Sequence, residues 1–135
     1  MSALNSQDPG AGIAIYRSPH PVAKTVQLIQ AAATSKGVEV FAIIDHAAGA
    51  RRAGMEMPET QVIILGSPAV GTPMMVAAPD LALDLPARVL VRATSTGSEV
   101  LLNDPQLLAA RYGLKVEQVS GLGGISRLVE GALKI

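Results

Sequence analysis

Apolar residues recur along this chain with two periods, and those periods predict its elements. "GIAIY" (12–16) reads as a first strand. In "PVAKTVQLIQAAATSKG" (21–37) Val22, Val26, Ile29 and Ala33 recur at spacings of four, three and four, one buried helical face. Pro21 opens that helix and Gly37 lies just past its end. "VEVFAII" (38–44) is β-branched and partly alternating, "QVIIL" (61–65) is a short buried strand, and "RVLVRAT" with "EVLLN" flanks "STGS" as a hairpin.

Helix signals fill the gaps. Asp45 follows the second strand and precedes "HAAGARRAG", a short helix that Gly54 ends, so its carboxylate is placed to accept from free backbone N–H groups. Arg51 and Arg52 fall near the C-terminal end, where the helix dipole favours cations. "GTPMMVAA" (71–78) begins with Thr72 and Pro73 in the order of an N-cap and a first helical residue. "NDPQLLAARYG" (103–113) repeats the device with Asp104, Pro105 and the terminator Gly113. A last helix is predicted from about Gly121 to Leu133, behind three glycines that weaken its start.

Length and composition narrow the class. A chain of 135 residues suits one domain able to bury a core without staples, and no repeat or low-complexity linker divides it. Residues 12–135 are expected to form that domain behind a loose tail at 1–11. With 49% apolar residues, two Tyr, one Phe and no Trp, the core must be aliphatic.

Eleven basic and eleven acidic residues cancel without forming blocks, which removes the electrostatic footprint of a nucleic-acid or anionic-membrane binder. No cysteine is present, so disulfides, thiolate nucleophiles and Cys-ligated zinc are excluded. "MSALNSQDPGAG" lacks the basic and apolar regions of a signal peptide, and runs such as "VFAII" and "VIIL" are far short of a membrane span. A soluble, cytoplasmic protein is expected.

Chemical motifs are sparse. No GxGxxG, P-loop, HExxH or GxSxG pattern occurs, and "GLGG" (121–124) lacks the preceding strand and full spacing of a dinucleotide fingerprint. It reads as a flexible helix entry. Met55, Met57, Met74 and Met75 suit core filling in an aromatic-poor interior better than soft metal ligation with His46. No metal site or cofactor is implied. His46 is not explained by capping, but adjacent residues rarely point the right way for an Asp–His acid–base pair.

The stretch from "IIDHAAGARRAG" to "DLPARVLV" resembles the uncharacterised family called domain of unknown function 302, whose members share the TT1751-like fold. The resemblance rests on Asp45 and His46, Pro58, the run Gly66, Ser67 and Pro68, then Gly71 and Thr72, and finally Asp84, Leu85 and Pro86. "NDPQLLAARYGL" is similar to the family's end region, and the likeness covers roughly residues 12 to 116. Ser67 stands where the family usually has Asn, which removes the paired donor and acceptor of an amide. The resemblance implies an α+β domain, a curved mostly antiparallel sheet packed against helices in a TBP-like β-α-β arrangement, and homodimers. It implies no established reaction.

Together these readings set the functional expectation. The expected pocket lies where Asp45 and His46 meet the loop of Gly66, Ser67, Pro68, Gly71 and Thr72, since both segments leave strands and enter helix N-termini that offer N–H donors to an anion or carbonyl. A noncatalytic small-ligand-binding or sensing homodimer is favoured, because no nucleophile with its base is recognisable. The alternatives are an enzyme using His46 as general acid or base, and a purely structural homodimer. No nucleic-acid or membrane partner is expected.

Overall fold

The computed structural model describes residues 12–135; the expected tail at 1–11 lies outside the described residues. Five strands, β1 (Ile13–Ser18), β2 (Glu39–Asp45), β3 (Thr60–Gly66), β4 (Ala87–Thr94) and β5 (Gly97–Asn103), form one sheet in the order β1-β5-β4-β3-β2. Every neighbouring pair is antiparallel. Five helices accompany it: α1 (Val22–Ser35), α2 (His46–Arg52), α3 (Pro68–Ala77), α4 (Pro105–Tyr112) and α5 (Gly123–Leu133). The fold is α+β, as expected.

Sheet order dictates where α1 goes. Alternating directions across five antiparallel strands leave β1 and β2 running the same way at opposite edges, so the chain between them must cross the sheet. α1 is that crossing. Its predicted stripe of Val22, Val26, Ile29 and Ala33 is buried, joined by Thr25. It packs on Ile63 and Leu65 of β3, Val89 and Val91 of β4, and Val100 and Leu102 of β5, with Ile125, Leu128 and Val129 of α5 beside it. Fully burying one such side chain stabilises by about 1.5–3 kcal/mol, so this layer is the dominant stabilising feature.

Two polar contacts tie the ends of that layer. Thr25 Oγ1 lies 2.6 Å from Ser18 Oγ and 2.9 Å from Ser98 Oγ, and Ser98 also donates to the His20 carbonyl at 2.8 Å. Every hydroxyl in this buried cluster is therefore satisfied where α1 leaves β1. Gly97, at φ 150°, brings β5 within reach of it: an added Cβ would come 2.3 Å from the Ser18 carbonyl oxygen.

A smaller second core sits at one end of the sheet, where Leu81, Leu108, Ala109 and Val119 pack with Met74, Leu85 and Leu122. It draws on α3, α4 and two 3-10 segments, Pro79–Asp84 and Val116–Leu122, that periodicity did not predict. Such turns are too short to carry a readable repeat. On the sheet's other face Ile15, Leu101, Leu90, Val62 and Ile44 are direct cross-strand partners in one row, and none of them is buried.

Most predicted boundaries hold within a residue or two, with α5 beginning at Gly123 and the hairpin turn reduced to Ser95 and Thr96. Helix α3 does not. It starts at Pro68 with Ser67 as N-cap residue, which puts Thr72 and Pro73 inside it rather than at its opening. Ser67–Pro68 and Thr72–Pro73 are the same start signal twice, and the chain uses the first although an internal proline forfeits a hydrogen bond.

On the helical face Tyr16 donates its hydroxyl to Glu130 Oε2 at 3.0 Å, linking β1 to α5. Burial, then this bond to a carboxylate, raises the phenol above the ordinary tyrosine value near 10. Because the folded state holds the proton more tightly than the unfolded chain, this stabilisation is complete below about pH 10 and is lost as pH rises through the raised value. Alkaline denaturation should therefore be shallower for Tyr16→Phe than for the parent. Urea melts taken at several pH values above neutrality check this, and parallel curves would disprove the linkage.

Candidate functional site

The residues expected to form one pocket separate into two places. Asp45 pairs with Gln61 and Glu39 with Gly66, so the Asp45–His46 junction and the Gly66–Ser67 junction lie at opposite ends of the β2–β3 ladder. Five residues of strand separate them, roughly 17 Å. The expected meeting of the two loops is corrected by this pairing: in an antiparallel pair, the segments leaving the two strands exit at opposite ends.

At the first end Asp45 caps α2. Its Oδ1 accepts from the Ala48 N–H at 2.9 Å, as predicted, and the carboxylate is thus turned toward the helix rather than toward the neighbouring imidazole. His46 is the first residue of α2 and is exposed. It does not line the cleft at the other end of the β2–β3 ladder.

At the second end a cleft of about 420 Å³ opens along the seam between the two cores. Gly66, Ser67, Pro68, Gly71 and Thr72 all line it, so five of the seven predicted residues share one cavity. Val38, Phe41, Val70, Met75, Leu85 and Leu128 supply its apolar wall. The volume falls within the range of small-molecule sites.

Each part of the cleft has a local cause. A β-bulge shifts the β2–β3 register between Val40 and Ala42, and the unpaired residue is Phe41. An extra residue re-aims its side chain, and the ring edge reaches 3.9 Å from where a Cβ on Gly66 would stand. Glycine keeps the opposite wall thin. A Cβ on Gly121 would meet Val70 Cγ1 at 2.6 Å, so α3 can approach the Val116–Leu122 segment only if residue 121 has no side chain.

Leu85 and Pro86 are held by Asp84, whose side chain is only 8% exposed. It accepts from the Tyr112 hydroxyl and pairs with Arg88 at 3.5 Å and Arg111 at 3.3 Å. That bond to Asp84 is also the main cause raising the Tyr112 phenol above its ordinary value.

The polar groups of the cleft are few. Ser67 stands at the N-cap position of α3, yet its hydroxyl makes no capping bond, and Thr72 is exposed one turn further on. Lys36, at the end of α1, and Arg127, one turn into α5, are the charged lining residues. Sequence patterns missed both, and missed Phe41. The available signal was the cluster Gly121, Gly123 and Gly124, because glycines so close together mark a place where backbones or ligands come near.

The cap and the cleft should respond independently. Asp45→Ala is expected to cost about 1 kcal/mol through loss of the α2 cap. It should leave any ligand affinity of the cleft unchanged; chemical denaturation and a binding titration on the same variant test both halves.

The family profile described as Domain of unknown function DUF302 matches residues 15–128. Among curated relatives, fluoride-specific ion channel FluC 1 of Brucella suis biovar 1 (strain 1330) is 36% identical over 129 residues, covering 90% of this chain and 51% of that protein. Fluoride-specific ion channel FluC 2 of Brucella melitensis biotype 1 (strain ATCC 23456) matches at the same identity, with 90% of this chain and 48% of that protein covered. The chain thus spans about half the length of the curated relatives it matches. The crystal structure of an uncharacterized conserved protein DUF302 from Bacillus stearothermophilus superposes with a TM-score of 0.79 over 93% of this chain and 98% of that one, at 10% identity, a likeness of fold.

Proposed function

The chain belongs to the DUF302 family, and from that premise we propose that it is a noncatalytic small-ligand-binding module that senses its ligand through the cleft between its two cores. The observation that carries this reading is the cleft itself, an apolar cavity of about 420 Å³ with a few convergent polar side chains. Its lining offers hydroxyls and cations but no carboxylate or imidazole to serve as a general base. His46, the candidate of the enzymatic alternative, stands at the other end of the sheet.

The likeness to fluoride-specific channels bears on this reading only in a narrow form. Among the described residues no helix is long and apolar enough to cross a membrane, and only half of those proteins is matched, so ion conduction is not carried over. A ligand-sensing part that serves an ion-transport activity is the version the likeness supports. Its proposed setting is the cytoplasm.

Filling the cleft tests the reading. Gly71 points into it, and an added Cβ would rest at 3.8 Å from Met75 Cε and 4.0 Å from Leu85 Cδ1, both ordinary contacts. Gly71→Phe should therefore fold and occupy the cavity. In a thermal-shift screen against small organic anions, cations and neutral compounds, at least one compound should raise the melting temperature of the parent and leave that of Gly71→Phe unmoved. A compound that shifts both proteins equally binds elsewhere, and a screen without any shift defeats the proposal.

A homodimer is the second part of the proposal, favoured by the open sheet face. The apolar row Ile15, Leu101, Leu90, Val62 and Ile44 offers the same patch to a second copy across a two-fold axis; beside it Arg92 pairs with Glu99 at 2.7 Å, and Arg17 and Arg88 flank it on the same face. Leu90→Glu, at the centre of the row, is expected to reduce a dimer mass to a monomer mass in light scattering at micromolar concentration. A parent protein of monomer mass, or a variant that stays dimeric, would sink this part.

A further inference from the structure

Resting on the cleft reading above, we propose that the ligand is an amphipathic organic anion, with an apolar body against Phe41 and its neighbours and one anionic group held by Lys36 and Arg127. The chain as a whole is electrically balanced, with eleven cationic and eleven acidic residues. The cleft is not. Its two charged lining residues are both cations, and among the described residues neither makes an ion pair. Elsewhere Arg51, Arg88, Arg92 and Arg111 pair with carboxylates, while Arg17, Lys24, Arg52, Lys115 and Lys134 likewise make no ion pair among the described residues, so what distinguishes Lys36 and Arg127 is that both line the same cavity. The cleft lining thus carries two cations and no carboxylate.

Two glycines leave room for Arg127 at the cleft. Its guanidinium folds back along α5 over two glycines, with Nη1 3.3 Å from where a Cβ on Gly123 would be and Nη2 3.8 Å from that on Gly124. This brings a cation beside the first turn of its own helix, at the edge of the cleft. Such an arrangement presents the guanidinium to an arriving anion. Any side chain at Gly123 would crowd the guanidinium out of this position.

The apolar side of the ligand follows from Phe41. It is the single phenylalanine of the chain, is turned by a bulge and lines the cleft, yet stays 46% exposed. Val70, on the opposite wall, is 42% exposed. An apolar chain or ring laid on Phe41 and Val70 would remove this surface from water, which a small inorganic anion cannot do. Burying both ends therefore needs a molecule with both parts.

Isothermal titration of the purified chain with decanoate, 1-decanol, decylamine and acetate separates the contributions. Decanoate should bind one-to-one and at least about tenfold tighter than decanol, with decylamine and acetate weaker still. Lys36→Gln and Arg127→Gln should each weaken decanoate by about tenfold and leave decanol unchanged, a pattern that simple damage to the fold would not give. Phe41→Ala should weaken both. Equal affinities for decanoate and decanol would overturn the anion assignment while leaving an apolar cleft that binds ligands. Preference for decylamine, or decanoate affinity insensitive to both cation variants, would overturn it too. Absence of binding by all four compounds would remove the anion assignment, and the thermal-shift screen with Gly71→Phe then decides separately whether the cleft binds anything.

Discussion

One crossing holds this structure together. Because β1 and β2 occupy opposite edges of the sheet and run in the same direction, α1 must traverse a full sheet face, and the stripe it buries becomes the core. Everything on that face is then placed relative to α1. α5 lies beside it, and where α1 ends, at Lys36, the first turns of α5 and α3 converge. The cleft is the space left where the crossing helix stops and the second core begins.

Two cores in a small domain create a seam. The larger contains residues of β3, β4, β5, α1 and α5, while the smaller belongs to α3, α4 and the 3-10 segments. Near the cleft Asp84, just before Leu85, ties β4 and α4 together through Arg88, Arg111 and Tyr112.

Local chemistry made much of the fold legible before any coordinates. Asp45 and Asp104 cap helices through short-range bonds, Gly113 ends α4 at φ 65°, and the α1 stripe is buried residue for residue. These features depend on neighbours within a few positions. Long-range pairing was less accessible: the apolar pattern identifies β2 and β3 as strands, but only their antiparallel ladder puts Asp45 far from Gly66. The same limit explains why Ser67, Gly71 and Thr72 were legible as one cluster while Lys36, Phe41 and Arg127 were not. The first three are close in sequence, whereas the others are assembled by a helix end, a bulge and a pair of glycines.

The bulge in β2 bears on a matter apart from recognition. "EVFAIID" is a seven-residue edge strand, and Phe41, Ile43 and Ile44 on it are 46%, 37% and 45% exposed. An uninterrupted aliphatic edge of that kind is a template for pairing with any other extended chain and so a route to fibrils. Irregularity at Phe41 breaks the flatness that such stacking needs, and Glu39 and Asp45 bracket the strand with charges that repel a like segment. The kink that aims one aromatic ring thereby also makes this edge a poorer template for a second strand.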